Sequence, residues 1–461
     1  MNINTITAVY FVGAGGIGMS ALIRYFLSKG KQVGGYDKTP SDLTAQLNRE
    51  GAVIHYEDNV SLIPDAFKNP AQTLVVYTPA VPESHTELTY FRQNGFEIMK
   101  RARVLGEITN CSRALCIAGT HGKTTTSSML AHLLKQSHVD CNAFLGGILK
   151  NYDSNLMLSD KSDLTVIEAD EFDRSFHWLT PYMAVITAAD PDHLDIYGTA
   201  EAYRESFEHF TSLIRPDGCL IMRKGIDVTP RLQEGVKLYT YSASEGGDFH
   251  AENIRIGNGE IWFDFVGPDI RIADIQLGVP VKVNIENGVA AIALAWLNGV
   301  TPEEIKKGMA SFAGPKRRFD FHLKKENIAL IDDYAHHPAE LKASIQSVKE
   351  LYAGRKVTGI FQPHLYTRTR DFAADFAASL SLLDELILLD IYPAREEPIP
   401  GVTSEIIFDA VTIPAKKLIR KGELLDLVEK EADTFEIVLM VGAGDIDRLI
   451  EPVKQILDKK L

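Results

Sequence analysis

Three times along this chain an apolar run of strand length passes into a glycine-bearing polar turn and then into an amphipathic helix. Strands that are apolar throughout belong in the middle of a parallel sheet covered by helices, so this repeated alternation predicts an α/β architecture. The first unit reads AVYFV, GAGGIG, MSALIRYFLSKG, KQVGGYD, and the apolar run TLVVYTPAVP follows it. Met19, Leu22, Ile23, Phe26 and Leu27 share one helical face, and Gly30 occupies a helix-stop position. The second unit restarts at ALCIAGTHGKTTTSSMLAHLLKQS, with Met129, Leu130, Leu133 and Leu134 on the covered face. The third begins beyond FAGPKRRF, with Pro338 suited to a first helical position. A chain of 461 residues exceeds one hydrophobic core, and domains of about 100–200 residues put borders at the restarts, near 110 and 317. Between them, NIRIGNGEIWFDFVG alternates across an Asn-Gly turn and predicts a β-hairpin. NIENGVAAIALAWLNG predicts a helix with Asn284 as its N-cap.

The net charge of −14 is scattered, without a basic block, which argues against nucleic acid or an anionic membrane as the main partner. No apolar run reaches the roughly 18 residues of a membrane span. The N-terminal MNINTITAVYFVGAGG lacks the basic region of a signal peptide, so a cytoplasmic protein is expected. Four cysteines (Cys111, Cys116, Cys141, Cys219) form no C-x-x-C pair and read as small apolar residues, neither a disulfide frame nor a zinc site.

Chemistry concentrates in the turns after strands. In CIAGTHGKTTTSSML, residues 116–130, an ordinary phosphate loop would need glycine at position 117, where Ile117 stands; the glycine is Gly119. The shortened loop keeps the working parts. Gly119 and Gly122 let backbone N–H groups turn toward a phosphate at a helix N-terminus, Lys123 can reach β- and γ-phosphate oxygens, and the Thr124 hydroxyl can bind Mg²⁺. VIEADEF offers Glu168, Asp170 and Glu171, and AADPDHLD offers Asp190, Asp192, His193 and Asp195. Either a carboxylate and His193 share a metal, or these are two solvated acidic loops. GAGGIG fits G-x-G-x-x-G through Gly13, Gly15 and Gly18, with Asp37 spaced to meet a ribose; NAD, FAD and a UDP-sugar all remain open. DDYAHHP supplies Asp333, Tyr334, His336 and His337, and QPHLYTRTRD supplies His364, Arg368 and Arg370, a set suited to carboxylate or phosphate recognition. Lys316, Arg317 and Arg318 in GPKRRF form either a hinge whose cation reaches a nucleotide or a solvated linker.

In this order, GTHGKTTT, EADE, DPDHLDIYG, DDYAHHP and QPHLYTRTRDF resemble the Mur ligases of peptidoglycan synthesis. YFVGAGGIGMSALIRYFLSKG and DIYPAREEPIPGVTS resemble the branch that adds L-alanine. The resemblance implies three domains: an N-terminal Rossmann-like domain over 1–110 for a UDP-sugar, a central P-loop ATPase-type mixed sheet over 111–317, and a C-terminal Rossmann-like domain over 318–461 for the amino acid. It implies ATP-dependent joining of L-alanine to UDP-N-acetylmuramate through an acyl phosphate, with ATP and Mg²⁺ required and the oligomeric state, monomer or dimer, left open. Gly15, Gly16, Gly18 and Asp37 would then hold the UDP-sugar. Gly119, Thr120, His121, Gly122, Lys123, Thr124 and Thr125 would hold the triphosphate. Thr124, Glu168 and His193 would bind the metal, Asn284 and Asn287 adenine, Arg318 a phosphate and Asp333 the ribose. Tyr334, His336 and Arg368 would frame L-alanine. Lys123, Glu168, His193 and His336 are the catalytic candidates. The chain departs from relatives in three places: YRESFEHF has no lysine, so no carbamate is expected, and Val283 and Leu365 stand where His and Arg are common.

Overall fold

The computed structural model describes residues 6–459 apart from Pro79, His193, Glu245 and Arg395. By internal contacts the chain divides into two compact units, 1–252 with 265–272 and 286–309, and 253–264 with 273–285 and 310–461. Among the described residues no helix is long and apolar enough to cross a membrane.

The first sheet contains β1 (Ala8–Val12), β2 (Gln32–Tyr36), β3 (Val53–His55), β4 (Thr73–Tyr77) and β5 (Glu97–Lys100), in the order β3-β2-β1-β4-β5. All its pairings are parallel, the order of a doubly wound nucleotide-binding half, with the strand order reversing between β1 and β4. Strand β1 is buried on both faces, which is why it is apolar throughout: Val9 and Phe11 enter one core cluster, while Ala8, Tyr10 and Val12 enter another. The helix Ile17–Ser28 buries Met19, Leu22, Ile23 and Phe26 and leaves Leu27 partly covered, and Gly30 takes the expected positive φ of 69°.

The second sheet contains β6 (Arg113–Ala118), β7 (Asn142–Leu149), β8 (Ser154–Met157), β9 (Leu164–Ala169), β10 (Met183–Ile186), β11 (Cys219–Arg223), β12 (Lys237–Ser242), β13 (Phe249–Gly257), β14 (Glu260–Gly267) and β15 (Ile270–Gln276). Its order is β15-β14-β13-β12-β11-β10-β6-β9-β7-β8. It is mixed: β6 pairs in parallel with β9 and β10, and β7 pairs antiparallel with β8. The expected Asn-Gly turn joins β13 to β14, with φ of 51° at Asn258 and 76° at Gly259, the left-handed pair that a tight hairpin turn demands. The helix that follows the sheet runs Val283–Leu297, so Asn284 lies inside its first turn and is not the N-cap; its amide instead donates to the Val279 carbonyl at 3.2 Å.

The third sheet contains β16 (Asp320–Lys324), β17 (Ala329–Asp333), β18 (Val357–Phe361), β19 (Glu385–Leu388), β20 (Lys416–Leu418) and β21 (Ile437–Val441), in the order β16-β17-β21-β18-β19-β20. Only the β16–β17 pairing is antiparallel. The helix after β17 starts at Pro338, as the sequence predicts, and His337 is its N-cap.

One polar network lies under the first sheet. The Tyr10 hydroxyl donates to Glu87 Oε2 at 2.7 Å and lies 2.7 Å from His55 Nε2, which is itself 3.3 Å from Glu87 Oε1; the Asn59 N–H also donates to Glu87. Burial pushes the Glu87 carboxyl up to about 7 from 4.5, with nearby Asp58 adding to the rise and the Tyr10 and Asn59 donors opposing it. Because the folded value lies above the unfolded one, this group's contribution to stability is complete below pH 4.5 and is lost as pH rises through 7. Glu87→Gln, which mimics the protonated form, should therefore gain on wild type as pH rises from 5 to 7.5, by up to about 1.4 kcal/mol per pH unit. Denaturant midpoints across that range measure the difference; parallel curves would exclude it.

Candidate active site

Parallel register brings three strand ends of the second sheet to one edge. Ile117 pairs with Glu168 and Ala118 with Ala169 across β6 and β9, while Ile186 pairs with Ala118 across β10 and β6. The loop 119–122 leaves β6 there and enters the helix Lys123–Gln136. Gly119 and Gly122 adopt φ of 136° and 84°, and a Cβ would stand 2.2 Å from Thr187 Oγ1 at the first and 2.7 Å from Asn287 Oδ1 at the second. Glycine is therefore required at both, by conformation and by space. Thr187, just beyond β10, donates to the carbonyls of Ala118 and His121, and the Thr120 N–H donates to the Ala188 carbonyl at 3.1 Å. The Thr120 hydroxyl reaches the Asp190 carbonyl at 2.8 Å and the Tyr203 hydroxyl at 2.9 Å. His121 is exposed, and Thr125 sits in the first helical turn.

Lys123 folds back over this loop. Its ammonium donates to the Gly119 carbonyl at 2.6 Å and to Glu171 Oε1 at 2.9 Å. The Thr124 hydroxyl donates to Glu168 Oε1 at 2.9 Å, and the Gly146 N–H donates to Oε2 at 3.0 Å. Burial pushes both carboxyls, Glu168 and Glu171, above the usual carboxylate range, opposed by the charge of Lys123. The facing hydroxyl and carboxylate of Thr124 and Glu168 are hard oxygen donors suited to Mg²⁺. Among the described residues no cluster of three or more His, Cys, Asp or Glu side chains forms a metal site. His193, the further ligand expected from the sequence, lies outside the described residues. Asn287 accepts from the Thr126 hydroxyl at 3.2 Å, against the base of the loop.

At the GAGGIG turn, the Gly15 N–H donates to Asp37 Oδ2 at 2.6 Å and the Thr39 N–H to Oδ1 at 3.1 Å. Asp37 thus fastens the turn itself. Gly16 is exposed and caps the following helix. A Cβ on Gly18 would stand 2.0 Å from Arg101 Nη1, and Arg101 in turn donates to Asp170 at 3.2 Å.

In the other unit, Tyr334, His336, His364 and Tyr392 form a run of rings, with centroids 5.2, 6.2 and 5.8 Å apart in that order. His336 Nδ1 lies 3.0 Å from the Tyr334 carbonyl and 3.4 Å from Glu340. Burial lowers the His364 pKa, and the charges of Arg368 and His336 lower it further. Arg368 Nη1 is buried without a hydrogen-bond acceptor, whereas Arg370 turns out to pair with Asp371 on the surface. Burial raises the Asp333 carboxyl against the charge of Arg318, which is exposed beside the Tyr334 ring at 5.8 Å. Arg317, at φ 61°, donates to the Gly442 carbonyl at 2.5 Å and stands 3.5 Å from the buried Asp332, whose carboxyl rises to about 7 through burial. Tyr203, Thr187 and Arg101 carry no spacing motif; each is found through what it touches.

Family models match nearly the whole chain: the Mur ligase family catalytic domain over 8–113, the Mur ligase middle domain over 117–295, and the Mur ligase glutamate ligase domain over 317–444. A UDP-N-acetylmuramate–L-alanine ligase of Parabacteroides distasonis is 82% identical over 461 residues, covering 100% of this chain and 99% of the relative. One from Phocaeicola vulgatus is 65% identical, with 100% of both chains covered. Among solved structures, the UDP-N-acetylmuramate-alanine ligase of Thermotoga maritima superposes with a TM-score of 0.80 at 28% identity, over 98% of this chain and 99% of the other. The shortened glycine loop, the carboxylates at the neighbouring strand end and these full-length matches lead to one assignment: the chain belongs to the Mur ligase family.

Proposed function

We infer that this chain is an ATP-dependent ligase that joins L-alanine to the lactyl carboxylate of UDP-N-acetylmuramate, releasing ADP and phosphate in peptidoglycan precursor synthesis. The reading is carried by the Gly119–Thr124 loop, in a chain 82% identical end to end to a ligase of that name. Nucleotide substrates and the absence of a membrane-spanning helix among the described residues favour the cytoplasm as its place of work.

A carboxylate is a poor electrophile, and phosphorylation overcomes this. The lactyl carboxylate attacks the γ-phosphorus, an acyl phosphate forms as ADP leaves, and the neutral amine of alanine then attacks the acyl carbon with loss of phosphate. Lys123 stabilises the charge that spreads over the transferring group, and the loop N–H groups fix the triphosphate in line. Thr124 and Glu168, with His193, are the residues that would hold Mg²⁺, which when bound neutralises the triphosphate. Gly15, Gly16 and Gly18 form the turn that would receive the UDP pyrophosphate at the head of the following helix, and Asp37 stiffens that turn. Asn284 and Asn287 serve adenine, Asp333 the ribose and Arg318 a phosphate. The unpartnered Nη1 of Arg368 suits the alanine carboxylate, with Tyr334 and His336 beside it.

Lys123→Ala should lower ADP release by about a hundredfold or more while UDP-N-acetylmuramate still binds. Steady-state ADP assays and calorimetry give the two readouts, and an active variant would contradict the role given to this lysine. Arg368→Ala should raise KM for L-alanine by tenfold or so and leave the affinity for ATP nearly untouched. Phosphate release should depend on L-alanine; release driven instead by a tripeptide would identify a peptide-adding ligase.

A further inference from the structure

Glu171 has no part in the mechanism above, yet it is the carboxylate nearest the ammonium of Lys123: Nζ lies 2.9 Å from Oε1 and 2.8 Å from Oε2. Glu171 is 1% exposed, and its Oε2 meets the Lys123 ammonium as an ion pair without a hydrogen bond of its own. The backbone around it is fastened. The Glu171 carbonyl accepts from the Tyr197 hydroxyl and from the Arg174 N–H at 3.0 Å, and Arg174 packs over the Tyr197 ring at 4.7 Å. The next turn contains two residues in left-handed conformation, Asp173 at φ 50° and Arg174 at φ 55°. A carboxylate mounted this way has little freedom to swing aside.

We propose that Glu171 is a positioning residue that holds Lys123 over the nucleotide-free loop and gives it up when the triphosphate arrives, so that its charge limits how tightly the nucleotide binds. The inference rests on the triphosphate reading of the 119–124 loop. A terminal phosphate that engages Lys123 takes the place of the carboxylate on the same ammonium, and the two anions then face each other in a site where water screens poorly. The free enzyme loses a favourable contact and the complex acquires a repulsion. Both effects raise the dissociation constant for ATP, which keeps ADP from lodging on the loop after each turnover.

The test uses full-length protein. Glu171→Gln keeps the shape and removes the charge; the Kd of a nonhydrolysable ATP analogue and the KM for ATP should both fall by roughly three- to tenfold. The Kd for UDP-N-acetylmuramate stays put and reports an intact fold. Glu171→Asp draws the charge back by one methylene and should shift both constants in the same direction by less; it carries the test if the Gln variant does not fold. Unchanged or weaker nucleotide binding in a variant that still binds the UDP-sugar overturns the proposal. Lys123→Ala separates the two levels: normal analogue binding there sinks the triphosphate reading, whereas lost binding there with no tightening in Glu171→Gln sinks only the role of Glu171.

Discussion

The parallel pairing of β9, β6 and β10 is the constraint on which the candidate active-site edge depends. Parallel neighbours end on the same side, so the register that joins Ile117 to Glu168 and Ala118 to Ile186 delivers the glycine loop, an acidic side chain and Thr187 to one line. Hydrogen bonds from Thr187 to the Ala118 and His121 carbonyls then close the loop around a space that a methyl group would fill. The geometry of the loop is thus a product of backbone sheet bonding, the kind of preorganisation that electrostatic catalysis requires.

Each unit keeps charges where burial disfavours them. Glu168 and Glu171 in one unit and Asp332 and Asp333 in the other are carboxyls whose proton affinity is raised by the apolar strand ends that carry them. Each has a cation nearby: Lys123 for the first two, Arg317 for Asp332 and Arg318 for Asp333. Pairs of this kind contribute little net stability, because desolvation offsets attraction, but they fix the direction of each side chain. That exchange of stability for orientation is expected where phosphoryl transfer demands in-line placement.

Much of this was legible in the sequence, because the signals were local. Strand β1 reads as buried since all five residues are apolar, and Gly30, Pro338 and the Asn258–Gly259 turn each have one backbone conformation they serve best. The shortened loop was readable for the same reason. Asn284 misled because N-cap preference is a single-residue tendency; the helix starts one residue earlier and the amide finds the Val279 carbonyl instead. Asp37 stands at the spacing of a ribose ligand, and its carboxylate also accepts from the Gly15 and Thr39 N–H groups, a use that spacing does not specify. Tyr203, Thr187 and Arg101 have no local signal because their contacts are made by tertiary proximity: the Thr120–Tyr203 contact spans 83 residues, and the pairing of Glu171 with Lys123, as distinct from its place in the acidic motif, spans 48.

The crowding of Gly18 by Arg101 has a consequence for inheritance. Any side chain at position 18 must displace the guanidinium, which also grips Asp170, two residues beyond Glu168. A lesion in the glycine turn after β1 would therefore be transmitted through one arginine to the acidic segment after β9. Suppressors of such a lesion belong at Arg101 or Asp170, far along the chain from the change they repair.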